Sequence, residues 1–479
     1  MRPKLNSVAL ILLSGVVLSC TAASHVSTSS PIRSGEAALA HASSSQLQPS
    51  VAALENHAAH RDRVIFEDRT PEIVQRAEIL IAKNKREGAV LDQRWYGFKR
   101  LGNYQHLILG ATHVIVFGGV EADVREHVTS RYESIEPVEA DQDPGEIRLY
   151  QARRNDRSWD FIVIAQNGRE VILKTVIRLL YIREFVDERM RRQYAARLNS
   201  FADSIQVLMS SYTARQEFAD FFRRHGIDDP DVVLIGFMND ANMILKEQDI
   251  GNGILWSDES LRLTSYRTPG GKQIVAVSIN GNRIFGSRAG ELVESLLDRA
   301  RERPPAIVFL GSAGAVEEPD LVWKIVTPIS VRSGDAFVQT EHRGELVHIV
   351  PNKAAGSGYA PSAHASVESV VVETTEWAEK AHKLGIDTAD QEFLHVVEAI
   401  NASRYARTLP LYAGVLVTDN ISSKPGTGLT FEQAEETISE AVNVRREFLS
   451  EMLRRVRVLD ASTPLPARGP ATNPAAQTR

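Results

Sequence analysis

The chain has a single cysteine, Cys20. That excludes an intrachain disulfide and a cysteine-built zinc cage within one molecule. Aromatic residues are scarce at 7%, and no run approaches the ~18 consecutive apolar residues of a membrane-spanning helix. An excess of positive charge is also missing. The net charge is −6, which argues against a protein whose work is to neutralise nucleic-acid phosphates. What remains is an ordinary globular mixture, 479 residues long and 43% hydrophobic, enough for more than one core.

The position of the cysteine carries information. Arg2 and Lys4 precede an apolar run from Val8 to Leu18 that ends in Ser19-Cys20. A charged start, a short greasy segment and a small-residue junction make a secretory signal. The cysteine at the junction resembles a bacterial lipoprotein signal, which implies lipidation at Cys20 and export to the cell envelope, anchored to a membrane through an N-terminal lipid. An ordinary signal peptide is the plainer alternative. Residues 21–58, rich in Ser and Ala, read as a disordered tether, and residues 459–479, with Pro464, Pro466, Pro470 and Pro474, as a disordered tail.

Residues 59–227 are expected to form an α+β, helix-rich N-terminal domain. His113–Phe117 and Phe161–Ile164 read as buried strands, and Val171 to Arg224 as long helices. Arg189, Arg191, Arg192 and Arg197 follow Glu184, Asp187 and Glu188, the pattern of a solvated helix face. Gly226-Ile227-Asp228-Asp229-Pro230 marks a boundary, and residues 228–458 change texture. Apolar runs at Val232–Ile235, Ile274–Ile279, Ala306–Leu310 and Leu411–Val417 alternate with helical stretches at Ala289–Arg301, Val370–Leu384, Gln391–Ala402 and Phe431–Leu453. This predicts an α/β fold with a mainly parallel sheet covered by helices, and ligands then bind at the carboxyl ends of the strands.

Three segments sit at such ends. Ala306–Leu310 leads into Gly311-Ser312-Ala313-Gly314, where small residues let backbone N–H groups approach a bound oxygen and Ser312 adds a hydroxyl. Leu411–Val417 ends at Thr418-Asp419, a carboxylate that loses hydration at the sheet mouth and so suits proton donation. Asp390-Gln391-Glu392 opens a helix, where capping is the plain role for the two acids.

Together and in this order the segments resemble the nucleoside phosphorylase/nucleosidase superfamily, over about Asp231 to Leu453. Gly311–Val316 is similar to its Gly-Ser/Thr-Ala/Cys-Gly loop, Asp390-Gln391-Glu392 to its Glu/Asp-Met-Glu motif, and Thr418-Asp419 to its Ser-Asp. Val277–Gly286 occupies the place of its second glycine-bearing loop, and Gly334-Asp335 that of its Gly-Asp. The resemblance implies a three-layer domain that cleaves the N-glycosidic bond of a purine nucleoside or related small molecule, without cofactor or metal. Glu392 would hold the ribose hydroxyls, with Gln391 beside the sugar. Asp419 would protonate the departing base, while Ser312, Gly311 and Gly314 face the attacking oxygen.

Phosphorylases similar to this chain carry an arginine where Phe309 stands, so hydrolysis is favoured over phosphorolysis. Arg283 and Arg288 are the candidate anion-binding replacements. Hydrolysing relatives carry a glutamate where register by Gly236 and Met238 places Ala241, which leaves neighbouring Asp240 as candidate base. A nucleoside-binding or sensing lipoprotein, or an envelope scaffold, is the alternative, and a homo-oligomer is the family's habit.

Overall fold

The structure is a computed structural model that describes residues 64–86, 101–138, 147–251, 253–258, 261–278, 284–334, 347–369, 372–421 and 431–460. The segments expected to be a signal and a tether, the candidate lipidation residue Cys20 and the stretch beyond Asp460 lie outside the described residues, as do Arg283 and Asp335.

The first sheet has six strands: β1 (Phe66–Asp68), β2 (Val114–Gly118), β3 (Ser134–Pro137), β4 (Arg148–Arg153), β5 (Trp159–Ala165) and β6 (Ile205–Ser210), in the order β1-β6-β2-β5-β4-β3. Its centre, β6-β2-β5, is parallel and its edges are antiparallel. Alternate residues explain the unbroken apolar runs. Val114, Val116, Phe161 and Val163 meet the helices Thr70–Arg86 and Arg169–Phe185, while Ile115, Phe117, Ile162 and Ile164 pack against Val124 and Val128 on the other face. The stretch expected to be long helices is broken by β6, and a capping box at Thr213 and Gln216 then starts the helix Ala214–Arg224.

The second sheet is built from β7 (Val232–Gly236), β8 (Ile254–Ser257), β9 (Arg262–Arg267), β10 (Gln273–Ser278), β11 (Ala306–Ala315), β12 (Ile325–Ser333), β13 (His348–Ile349), β14 (Ala360–Ser366), β15 (Thr388–Asp390) and β16 (Leu411–Asn420). It is mixed rather than mainly parallel. β10-β7-β11-β16 run parallel, β8 and β9 add an antiparallel edge, and β12 joins β16 antiparallel. The reason is closure. β11 pairs β16, β16 pairs β12, β12 pairs β14, β14 pairs β15, and β15 returns to β11, so five strands form a ring.

Helices cover both faces of the second sheet. Val233, Ile235, Val275 and Phe309 pack toward the helices Ser287–Arg299 and Phe393–Ala402, and Val232, Leu234, Val308 and Leu310 toward Met238–Glu247 and Phe431–Arg455. None of the described helices is long and apolar enough to cross a membrane.

The two sheets belong to one compact unit and share a core. Val171, Val176 and Leu180 of the helix Arg169–Phe185 cluster with Val316, Val367, Val372, Trp377 and Ile421 of the second sheet's segments.

Candidate active site

β11 changes neighbours halfway along its length. Its first residues, Ala306 to Phe309, pair with β7, and Gly314 and Ala315 pair with β15 on the side that β7 has left. Between them, residues 310–313 have no strand partner on that edge among the described residues. The place where two strands part around a third is where open α/β sheets bind ligands. The glycine-rich segment expected as a loop is therefore strand, because β16 pairs with it continuously up to a bulge at Ala313/Gly314. Gly311, Ser312 and Gly314 lie on this strand, with Ser312 exposed.

The register brings the acidic segments to the same level. Gly314 stands opposite Asp419 on β16 and opposite Ala389 on β15. Asp390 follows Ala389, and the chain leaves the sheet at Gln391 and Glu392. The capping expected of these acids falls to Asp390, whose carboxylate accepts the Phe393 N–H at 3.1 Å and the Ser366 hydroxyl at 2.6 Å. Glu392 makes no side-chain cap, and its carboxyl accepts backbone N–H groups of Gln391 and Gly286 instead. Gln391 is buried.

Burial, followed by the Asp390 charge, pushes the Glu392 carboxyl up to about 8, against the pull of Lys174. Asp419 stays open to solvent, but the crowding protein still costs its charge hydration and raises its pKa, while the Thr418 hydroxyl at 2.8 Å opposes this. Glu373 links the two. Burial drives its carboxyl well above the ordinary range, and the charges of Asp419, Asp390 and Glu392 add to the effect. The charges of Asp390, Glu392 and Asp419, from two other segments, thus all bear on Glu373.

The remaining candidates lie elsewhere. Asp240, in the helix Met238–Glu247, is tied to Arg445 Nε at 2.5 Å, and that guanidinium lies 4.3 Å from the Phe237 ring centre. The Asp240 carboxylate is thus engaged by the helix Phe431–Arg455 rather than free to meet an attacking water, which leaves its reading as the base without support. Ala241 is buried in the core. Arg288 does not bind an anion. It is fully buried, bonded to Glu217 at 3.2 Å and to the Asn167 carbonyl at 2.7 Å, and stacked on Phe218. Phe309 is buried 5.3 Å from Phe393, centre to centre. Gly334 holds Trp377 in place by accepting its indole N–H at 2.8 Å.

Two groups beside Glu392 have no signature in the sequence. Glu373 falls in a segment that reads as helix but precedes the helix Thr375–Lys383. Lys174 lies on a helix of the other sheet, so only tertiary packing brings it to the site.

No protein-family model and no curated protein matches the chain. Among solved structures it is similar to the 5'-methylthioadenosine/S-adenosyl homocysteine nucleosidase of Campylobacter jejuni, at 12% identity and a TM-score of 0.36, over 47% of this chain and 99% of that one. It is similar to the futalosine hydrolase of Helicobacter pylori at 11% identity and a TM-score of 0.36, over 48% of this chain and 99% of the other. A methylthioadenosine phosphorylase from an antarctic soil metagenomic library gives 10% identity and a TM-score of 0.34, over 48% and 88% of the two chains.

Proposed function

We propose that the strand edge where β11, β15 and β16 meet binds a purine nucleoside or a related compound and cleaves its N-glycosidic bond, with water as the attacking group. One observation carries this reading: the strand register sets Asp419 on β16 and the Ala389-Asp390 end of β15 on either side of Gly314, beside an edge where Ser312 and Asp419 stay open to solvent, and the charges of Asp419 and Glu392 both bear on Glu373.

Breaking the bond leaves positive charge on the sugar and negative charge on the base. An acidic surround at the sugar and a proton donor at the base stabilise that separation more in the transition state than in the ground state. In this reading Glu392 accepts hydrogen bonds from the sugar hydroxyls, water attacks the anomeric carbon as the glycosidic C–N bond breaks, and the base departs with a proton from Asp419, whose raised pKa suits a donor. The attacking water's surplus proton passes to solvent, which reprotonates the exposed Asp419.

A second reading is favoured by Ala241 and by the Asp240–Arg445 pair, which leave no free base after β7. On that reading the pocket binds or senses a nucleoside without turning it over. Export and lipid anchoring through Cys20 belong to the same proposal for either reading, and the homo-oligomer expectation stands beside them.

Release of free base from inosine, adenosine and methylthioadenosine, measured with and without phosphate, separates the readings. Release without phosphate is expected. Release only with phosphate overturns hydrolysis, and no release together with calorimetric binding supports the sensor. Neither release nor binding leaves the scaffold.

A further inference from the structure

The second sheet has a cleft at each end of its strands. Around the amino ends of β7, β11 and β16, opposite to Ser312 and Asp419, lies an open cavity of about 790 Å³. From Ala306 to Ser312 the strand rises about 20 Å, so this cavity is separate from the candidate active site. Six cationic side chains line it: Lys272, Arg301, Arg303, Lys353, Arg455 and Arg457. They come from four separate segments of a chain whose net charge is −6.

Three carboxylates share the lining, and two of them are already engaged. Asp229 accepts the Arg301 N–H at 3.1 Å, and Asp231 accepts the Gln273 N–H at 2.8 Å. Of the cations, Arg455 is paired with Glu451 at 3.0 Å, and the Lys272 ammonium donates to the Arg457 carbonyl at 3.1 Å. The side chains of Arg301, Arg303, Lys353 and Arg457 are exposed and have no partner among the described residues. The helices Ser287–Arg299 and Phe431–Arg455 both end here, and cations suit the carboxyl end of a helix. Two such ends carry together only about one negative charge, whereas the cations exceed the carboxylates by three. The surplus faces the cavity. Arg457 also holds φ 58° at a helix exit where glycine is the usual residue, so a guanidinium is kept at the rim in a conformation that glycine adopts more easily.

We infer that this cavity binds a phosphorylated small molecule carrying two or more negative charges. A guanidinium fork meets phosphate oxygens two at a time, which favours phosphate over a single carboxylate as the partner of several arginines. The volume is that of a small-molecule site and more than an inorganic phosphate fills. Pro410, Tyr412 and Val456 supply the apolar wall that an organic body would cover. A soluble organic phosphate and a lipid headgroup share this chemistry, and the test separates them. The inference goes beyond the nucleosidase reading and does not depend on it, because none of the acids proposed for that chemistry lines this cavity.

The test is calorimetry of the full chain, free of divalent metal, with pyrophosphate, ATP and soluble dihexanoyl phosphatidylglycerol. Saturable binding of at least one is expected. Binding of pyrophosphate or ATP assigns a soluble phosphate, and binding of the lipid alone assigns a headgroup. The double variant Arg301→Gln, Arg303→Gln is expected to weaken that binding about tenfold or more, since a lost hydrogen bond to a charged group is worth about a factor of ten. Lys353→Gln, on another segment, is expected to weaken it as well, and decides alone if the double variant fails to fold. Arg189→Gln, Arg191→Gln removes the same charge from the exposed helix Glu188–Gln193, outside the cavity. This control is expected to change the affinity less than about twofold, because salt screens distant surface charges. No saturable binding of any of the three compounds overturns the inference. So does an affinity unchanged in the cavity variants, or one weakened equally in the control.

Discussion

Asp419 shows what a single residue at a strand end can do. β16 stays buried through Val417 and then presents Thr418 and Asp419 at a rim, where the carboxyl keeps solvent access but loses hydration. If it donates the proton to the leaving base, Asp419→Asn is expected to lower turnover about 10²–10⁴-fold, the usual worth of a general acid. The thermal midpoint should change little, since the side chain is exposed and accepts its hydrogen bond from the hydroxyl of the neighbouring Thr418. Turnover close to the parent's in a steady-state assay removes Asp419 from the chemistry. Asp419 was legible as a candidate because it follows an apolar run where a chain leaves a sheet, and Glu392 because it opens a helix within an Asp-Gln-Glu segment that resembles a known motif. Arg288 was not legible. Its partner Glu217 is 71 residues away, and nothing local distinguishes a buried guanidinium from a solvated one.

Between elements, the decisive contact is the crossing of the helices Ser287–Arg299 and Phe393–Ala402, which sets Phe285-Gly286-Ser287 beside Glu392. Gly290 stands at the crossing, and a methyl group there would lie 2.7 Å from the His395 carbonyl oxygen. Gly290→Ala gains helix propensity of ~1 kcal/mol but forces the helices apart, and overpacking typically costs about 1–3 kcal/mol. A net loss of stability in urea unfolding is expected, together with weaker ligand binding at the site. A more stable variant would show that the crossing tolerates a side chain. The helix Phe393–Ala402 was legible within two residues from its apolar spacing. The strand identity of Gly311–Ala315 was not, because small residues read as a turn until β16 and β15 are seen pairing with them.

Across the whole molecule, charge is stored at the junction of the two sheets. Burial pushes Glu217 up to about 7, against the pull of Arg288, and Glu392 up to about 8. A carboxyl whose folded pKa is raised binds more protons folded than unfolded. Its favourable contribution is complete below its ordinary value of 4.5 and is lost as pH rises through about 8. Stability measured by chemical unfolding is therefore expected to fall more steeply between pH 5 and 8 in the parent than in Glu392→Gln (both bounds rough, from the same linkage). Equal slopes in the two proteins would contradict the shift assigned to Glu392.

The sequence by itself determined the alternation of apolar runs and helices, and hence an α/β chain with acids at strand ends, because burial on two faces leaves a readable pattern. Tertiary structure decided the rest: that the second sheet is mixed and closes a ring, that Arg288 serves the core, and that the charges of Glu392 and Asp419 both reach Glu373. Those facts depend on which distant segments share one small volume, and local periodicity carries no record of long-range pairing.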